Sequence, residues 1–203
     1  MDRYLIKLRA ANPTLNEGLK FARYLDEAAE GFFHFMLGNH SEEIIATAFA
    51  QPEHDLSFQN VTFAEYDNDI VGMVSGYTAA QHRCSSKQPL KEAAGKNNFR
   101  MSIVMVVFAP LMRIIDSISD GDFYLQAVAV DKERRGDGVG SVLMDHIEGR
   151  AREAGSTRLS LDVSAKNTGA CRFYQGRGMS ITSQWPKHIP IPGLRLYRMT
   201  KEV

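Results

Sequence analysis

The most constraining feature of this chain is a strand, a glycine loop and a helix in immediate succession between Phe123 and Gly155. Phe123-Tyr124-Leu125-Gln126-Ala127-Val128-Ala129-Val130 is a short apolar run that ends in a charged cluster, Asp131-Lys132-Glu133-Arg134-Arg135, as a buried strand does where it leaves its sheet. The loop Gly136-Asp137-Gly138-Val139-Gly140 follows. Val139, Val142, Leu143, Ile147 and Ala151 then recur at helical spacing, and Gly155 stands where a helix C-terminal glycine belongs. Arg158 to Ala165 reads as a second buried strand, and Lys166-Asn167-Thr168-Gly169 opens a short helix carrying Ala170, Phe173 and Tyr174.

Glycines between a strand and a helix N-terminus let the backbone approach a ligand closely, while the free N–H groups and the positive helix end favour phosphate. The unit is therefore expected to bind a phosphorylated cofactor. A phosphate loop of the nucleotide triphosphatase kind needs Lys-Ser or Lys-Thr after its last glycine, but Gly140 is followed by Ser141-Val142. A dinucleotide fold needs G-x-G-x-x-G, and Ser141 occupies the third glycine's place, although Asp162 lies at a suitable distance to hold a ribose. That reading, an NAD-binding oxidoreductase, stays open as a rival.

A third pattern accounts for more residues. Val130-Asp131, then Arg135-Gly136-Asp137-Gly138-Val139-Gly140 and Leu143, resembles the acetyl-CoA loop of the GCN5-related N-acetyltransferase (GNAT) family. Asn167-Thr168-Gly169-Ala170-Cys171-Arg172-Phe173-Tyr174 with Gly178-Met179 resembles that family's second signature, Met179 replacing its closing Phe. The resemblance implies an α/β (α+β) fold: a mixed central sheet whose strands splay at the acetyl-CoA site, flanked by helices. It implies an acyltransferase with acetyl-CoA as acyl donor and no metal, acting on a primary amine of a small molecule or peptide. A non-catalytic acyl-CoA-binding domain of the same fold is the alternative.

The resemblance also assigns roles. Tyr174 stands at the general-acid position, and the backbone N–H of Val128 at the oxyanion position. Arg134, Arg135 and the N–H groups of Gly136, Gly138, Val139 and Gly140 would hold the pyrophosphate, with Val130 and Phe173 beside the cofactor and Asn167 on its pantetheine arm. A lysine-like amine has a pKa of ~10.4 and must lose a proton, while a phenol near ~10 can protonate a departing thiolate of ~8.5. Asp162 precedes Tyr174 by twelve residues, the offset of the glutamate–tyrosine pair in the similar ribosomal-protein alanine acetyltransferases, and is the candidate base; Glu65 comes second.

At 203 residues, the chain is long enough to bury a substantial core and is expected to form one domain, 1–203, with a helical insertion at about 80–121. Lys plus Arg and Asp plus Glu both number 24, so no global charge draws it to nucleic acid or membrane. Two cysteines, Cys84 and Cys171, make neither a metal-ligand spacing nor a disulfide framework, and His82 and Cys84 read as surface groups. With no secretory signal visible, a cytoplasmic location is expected.

Before the glycine loop, Tyr4 to Arg9 reads as a strand, and Thr14 with Glu17 has the form of a capping box ahead of a helix that Gly31 closes. The aromatic stretch Phe32 to Leu37 follows, then a helix from Ser41. Phe58–Tyr66 and Ile70–Thr78 read as a hairpin around Asp67-Asn68-Asp69. Met101 to Ile115 is apolar nearly all round and is expected to be a buried helix or a homodimer contact. After the second signature, Ser180–Trp185 and Leu194–Thr200 read as a last strand pair joined by a proline-rich loop.

Overall fold

The computed structural model describes residues 6–109, 117–186 and 195–203. Their strands are β1 Lys7–Ala10, β2 Val61–Tyr66, β3 Asp69–Thr78, β4 Asp122–Val130, β5 Arg158–Ser164, β6 Ser180–Trp185 and β7 Leu196–Glu202. They form one sheet in the order β1-β2-β3-β4-β5-β7-β6. The pair β4–β5 is parallel and every other pair is antiparallel. The mixed sheet with flanking helices is the fold class expected. It excludes the dinucleotide reading, which needs successive parallel strands.

The helices are α1 Leu15–Ala28, α2 Phe32–Leu37, α3 Ser41–Phe49, α4 Ala79–Cys84, α5 Gln88–Ala94, α6 Asn98–Val107, α7 Val139–Glu153 and α8 Thr168–Gly176. They cover the two faces of the sheet with separate apolar clusters. On one face Phe21, Leu25, Leu37, Ile45 and Phe49 pack with Phe63, Met73, Ala127 and Ala129. On the other, Leu143, Met144, Ile147 and Tyr174 pack with Val74, Leu125, Leu159, Leu161 and Met199. Burying each large apolar side chain contributes ~1.5–3 kcal/mol, so the alternation along β3, β4 and β5 ties the register to both helical layers.

Local signals hold where chemistry is local. Asp67 and Asn68 take φ of 51° and 66°, the two left-handed residues a tight two-residue hairpin needs, and they join β2 to β3. Thr14 accepts from the Glu17 amide at 3.3 Å, but the Glu17 carboxylate turns away to Asn12 and Arg9, so only half of the expected capping box forms. The strand expected from Phe58 begins at Val61, because Phe58–Asn60 makes a 3-10 turn capped by the Ser57 hydroxyl. The aromatic stretch is itself the helix α2.

The segment between β3 and β4 carries α4, α5 and α6, the helical insertion expected. Met101 and Val104 of α6 enter the cluster beneath α2 and α3. Its other face corrects the buried-helix expectation: Phe99, Ile103, Val106 and Val107 are exposed, Val106 by 74%. The part of that apolar run at 110–115, the proline loop at 187–194 and the beginning of the first strand lie outside the described residues.

Candidate active site

The strands β4 and β5 pair only at Asp122↔Arg158, Phe123↔Leu159 and Tyr124↔Ser160. Beyond Tyr124 no register joins them, so among the described residues the inner edge of β4 from Leu125 to Val130 has no partner strand. The polarity of that edge follows from the β3 ladder. Asp131 N donates to Val71 O at 3.0 Å, which makes Asp131–Val71 a hydrogen-bonded pair. Antiparallel pairing alternates, so Ala129 also turns its amide toward β3, whereas Val128 and Val130 turn theirs away from it, toward the open edge. Unpaired main-chain donors are thus presented to the cleft.

Above this edge the glycine loop runs into α7. Gly138 is the N-cap residue at φ 90°, a left-handed conformation that strains any side chain, and Gly136 has the same φ. No side chain caps α7 and no acid lies in its first turn, so its leading amides are open to an anion. At Gly140, an added Cβ would lie 3.4 Å from the Phe173 ring and 3.8 Å from Val130, so the missing side chain leaves a narrow cradle between loop, strand and α8. Arg135 bonds to Glu27 of α1 and, through Nε at 3.2 Å, to Val130 O. Arg134 lies over the Tyr66 ring at 4.9 Å. A phosphorylated carrier fits the uncapped helix end, the glycine cradle and the open strand edge.

Tyr174 sits in the same apolar cluster as Leu161, Val163 and Val139, with Val128, Val130 and Phe173 packed around it. Burial pushes its phenol well above the ordinary value, so it stays protonated throughout the neutral range. Its hydroxyl has no hydrogen-bond partner among the described residues. Asn167 caps α8, its Oδ1 accepting from Ala170 N at 3.0 Å.

Tyr77, Tyr124, Asp162 and Arg198 share the opposite face, since their neighbours Phe123, Leu161 and Met199 all point into the α7 cluster. The Asp162 carboxylate accepts from Arg198 at 2.7 and 2.8 Å and from the Tyr124 hydroxyl at 3.1 Å. It is therefore placed to hold Tyr124 and Arg198 rather than to take a proton directly or to hold a ribose. Glu65, the second candidate base, is bonded to Arg9 at 2.7 Å on β2, two strands from the cleft.

His82 corrects the surface reading given to it. Its Nδ1 lies 2.8 Å from Asp55 Oδ2, and its ring stacks on Tyr77 at 5.5 Å and 9°, with Tyr77 in turn 5.7 Å from Tyr124. Asp55 and His82 are 27 residues apart, so no local spacing could have paired them. The turn before β2 brings one, and the capping box of α4 at Thr78 and Gln81 orients the other.

Residues 13–179 match the Acetyltransferase (GNAT) family. The chain belongs to the GNAT acetyltransferase family. Solved structures agree in fold. An acetyltransferase crystal structure is 24% identical, covering 97% of this chain and 99% of its own, with a TM-score of 0.68. An N-acetyltransferase from Staphylococcus aureus Mu50 is 14% identical over 96% and 100%, with a TM-score of 0.67. The ribosomal-protein-S18-alanine N-acetyltransferase from Escherichia coli is 15% identical over 97% and 93%, with a TM-score of 0.53. No curated protein sequence matches the chain. As a GNAT member the chain is an N-acetyltransferase. No described helix is long and apolar enough to cross a membrane.

Proposed function

We propose that this GNAT chain, as a single acetyltransferase domain, transfers the acetyl group of acetyl-CoA to a primary amine of a small molecule or peptide. The observation that carries the reading is the open edge of β4, whose Val128 and Val130 amides face the cleft while their side chains pack against the cluster that holds Tyr174. Bound acetyl-CoA supplies the activated thioester. The amides of Gly138, Val139 and Gly140, with Gly136, Arg134 and Arg135, hold its pyrophosphate; Val130, Phe173 and Asn167 flank the pantetheine arm.

The Val128 N–H donates to the acyl oxygen as charge develops there, a fixed donor that requires no reorganisation during the reaction. The Tyr174 O–H donates to the departing sulfur, and the proton released as the amide forms restores the phenol through water. The amine must reach the cleft unprotonated. In this reading the acceptor approaches the face that carries Tyr77 and Tyr124, where the Asp55–His82 pair supplies an imidazole oriented by a carboxylate, and we assign it the amine's proton, taken through water. Asp162 positions Tyr124 as part of the floor on which the acceptor rests.

The test is thiol release from acetyl-CoA against a panel of primary amines, with acetyl-CoA and NAD compared by calorimetry. Acetyl-CoA should bind, NAD should not, and at least one amine should stimulate release. Binding of acetyl-CoA with no acceptor in a broad panel would favour the non-catalytic alternative.

A further inference from the structure

We propose that a second cavity, between the edge strand β1 and helix α7, is a binding site for a small organic anion whose charge partner is Arg150. The cavity measures about 320 Å³ and is bounded by Leu8, Gln59, Val61, Thr62, His146 and Arg150. That is within the range of small-molecule sites. It lies at the β1–β2 edge, separated by β3 from the open edge of β4, and the inference makes no use of the acyl-transfer reading.

The charge pattern is what asks for a ligand. Four other half-buried arginines have carboxylate partners: Arg9 with Glu17 and Glu65, Arg158 with Asp122, Arg177 with Glu148 and Arg198 with Asp162. Arg150 is half-buried and has no carboxylate partner among the described residues; its Nη1 donates to the Asn60 carbonyl at 3.2 Å and its guanidinium lies 5.7 Å from the Phe123 ring centroid. A guanidinium taken partly out of water without a counter-charge is unfavourable, and the rest of its planar donor fork matches a carboxylate or phosphate.

His146, one helical turn earlier, faces the same space and is held by Thr62, Nε2 to Oγ1 at 3.1 Å. Burial and then the Arg150 charge hold its pKa below the usual value, and burial lowers that of Arg150 itself. Glu153, exposed in the last turn of α7, acts in the opposite sense on both without forming an ion pair with either. Arg9 at the rim is already neutralised by its two glutamates. An anion in the cavity would therefore relieve the burial of Arg150 and its repulsion of His146 together. Leu8 and Val61 supply apolar wall for the body of an organic ligand.

The test follows the His146 imidazole by NMR in the full chain, assigned by its loss in His146→Gln, as pH is varied without additive, with inorganic phosphate and with acetate. The His146 titration should move to higher pH by about half a unit or more with one of the probes. Phosphate would identify a phosphate ester as the ligand class and acetate a carboxylate. The amide signals of Leu8, Val61 and Thr62 should move at the same concentrations, and a folded Arg150→Met variant should lose both responses. A His146 titration unmoved by either probe, or amide changes confined to the glycine loop, would overturn the proposal in the wild-type protein alone. Full retention of the shift in folded Arg150→Met would also overturn it.

Discussion

Arg198 on β7 grips both carboxylate oxygens of Asp162 on β5, Nε to Oδ1 at 2.7 Å and Nη2 to Oδ2 at 2.8 Å, across a register pair of the two strands. Both side chains are largely buried, so removing one partner leaves the other charge uncompensated. Asp162→Asn is expected to destabilise the fold by about 3–5 kcal/mol, and Asp162→Asn with Arg198→Gln by clearly less. Denaturant titration of the three proteins checks this. A stable Asp162→Asn variant that lost the acidic limb of its pH–rate profile would return Asp162 to a proton-accepting role.

Gly138 has φ 90° at the start of α7, so a side chain there is strained and intrudes on the leading amides. Gly138→Asp adds like charge as well, and should weaken acetyl-CoA binding by about tenfold or more, equivalent to ~1.4 kcal/mol. Calorimetry on protein shown to be folded by circular dichroism measures it. Unchanged affinity would remove the glycine loop from the cofactor site.

Tyr174→Phe keeps the ring in its cluster and removes only the hydroxyl. Turnover should fall by about 10²-fold with little change in acetyl-CoA affinity. Because burial raises the phenol pKa, Tyr174 remains protonated well into alkaline pH. The variant's pH–rate profile should therefore be lower but keep the wild-type shape near neutrality.

His54 predicts a pH dependence of stability. It is buried, with Nε2 2.8 Å from Ala48 O and Nδ1 accepting from Leu56 N, a pattern only the neutral ring satisfies. Burial holds its folded pKa below the unfolded value of 6.5. Its contribution is thus present above pH 6.5 and is lost as pH falls toward the folded pKa, because the unfolded chain takes up the proton first. Stability from denaturant titration should fall below that pH with a slope approaching ~1.4 kcal/mol per unit, and His54→Gln should flatten part of it.

Val106 is 74% exposed on α6, in a stripe with Phe99, Ile103 and Val107. Val106→Asp should therefore leave the fold of the single chain intact by circular dichroism. Sedimentation velocity of wild type and variant tests the homodimer contact expected of this apolar stretch, the expected result being a dimer that the substitution converts to monomer.

The elements legible in the sequence were those whose signals lie within a few residues. Asp67-Asn68 specifies its hairpin because two adjacent residues accept positive φ, and Gly136 and Gly138 mark the loop before α7 for the same reason. The apolar alternation that places Phe123 and Leu125 in one cluster is equally local, but Ala127 falls in the other because an irregularity at Gln126 shifts the register against β3. Both family signatures lie on contiguous stretches, so fold and chemistry class could be read together. The single charge state of any one side chain could not. Asp162 reads as a candidate base with no visible counter-charge, because nothing near it in the chain names Arg198, which lies 36 residues away and arrives only when β7 pairs with β5. His82 read as a surface group because Asp55 and Tyr77 reach it through a turn and a stacked ring. The outward face of α6 is marked only by Arg100 and Ser102 among apolar residues, and Ile103 and Val106 differ from Met101 and Val104 only in what packs against them. Backbone conformation is set by neighbours in sequence and could be determined from it. Partnership and burial are set by neighbours in space, and only the assembled sheet and its two helical layers decided them.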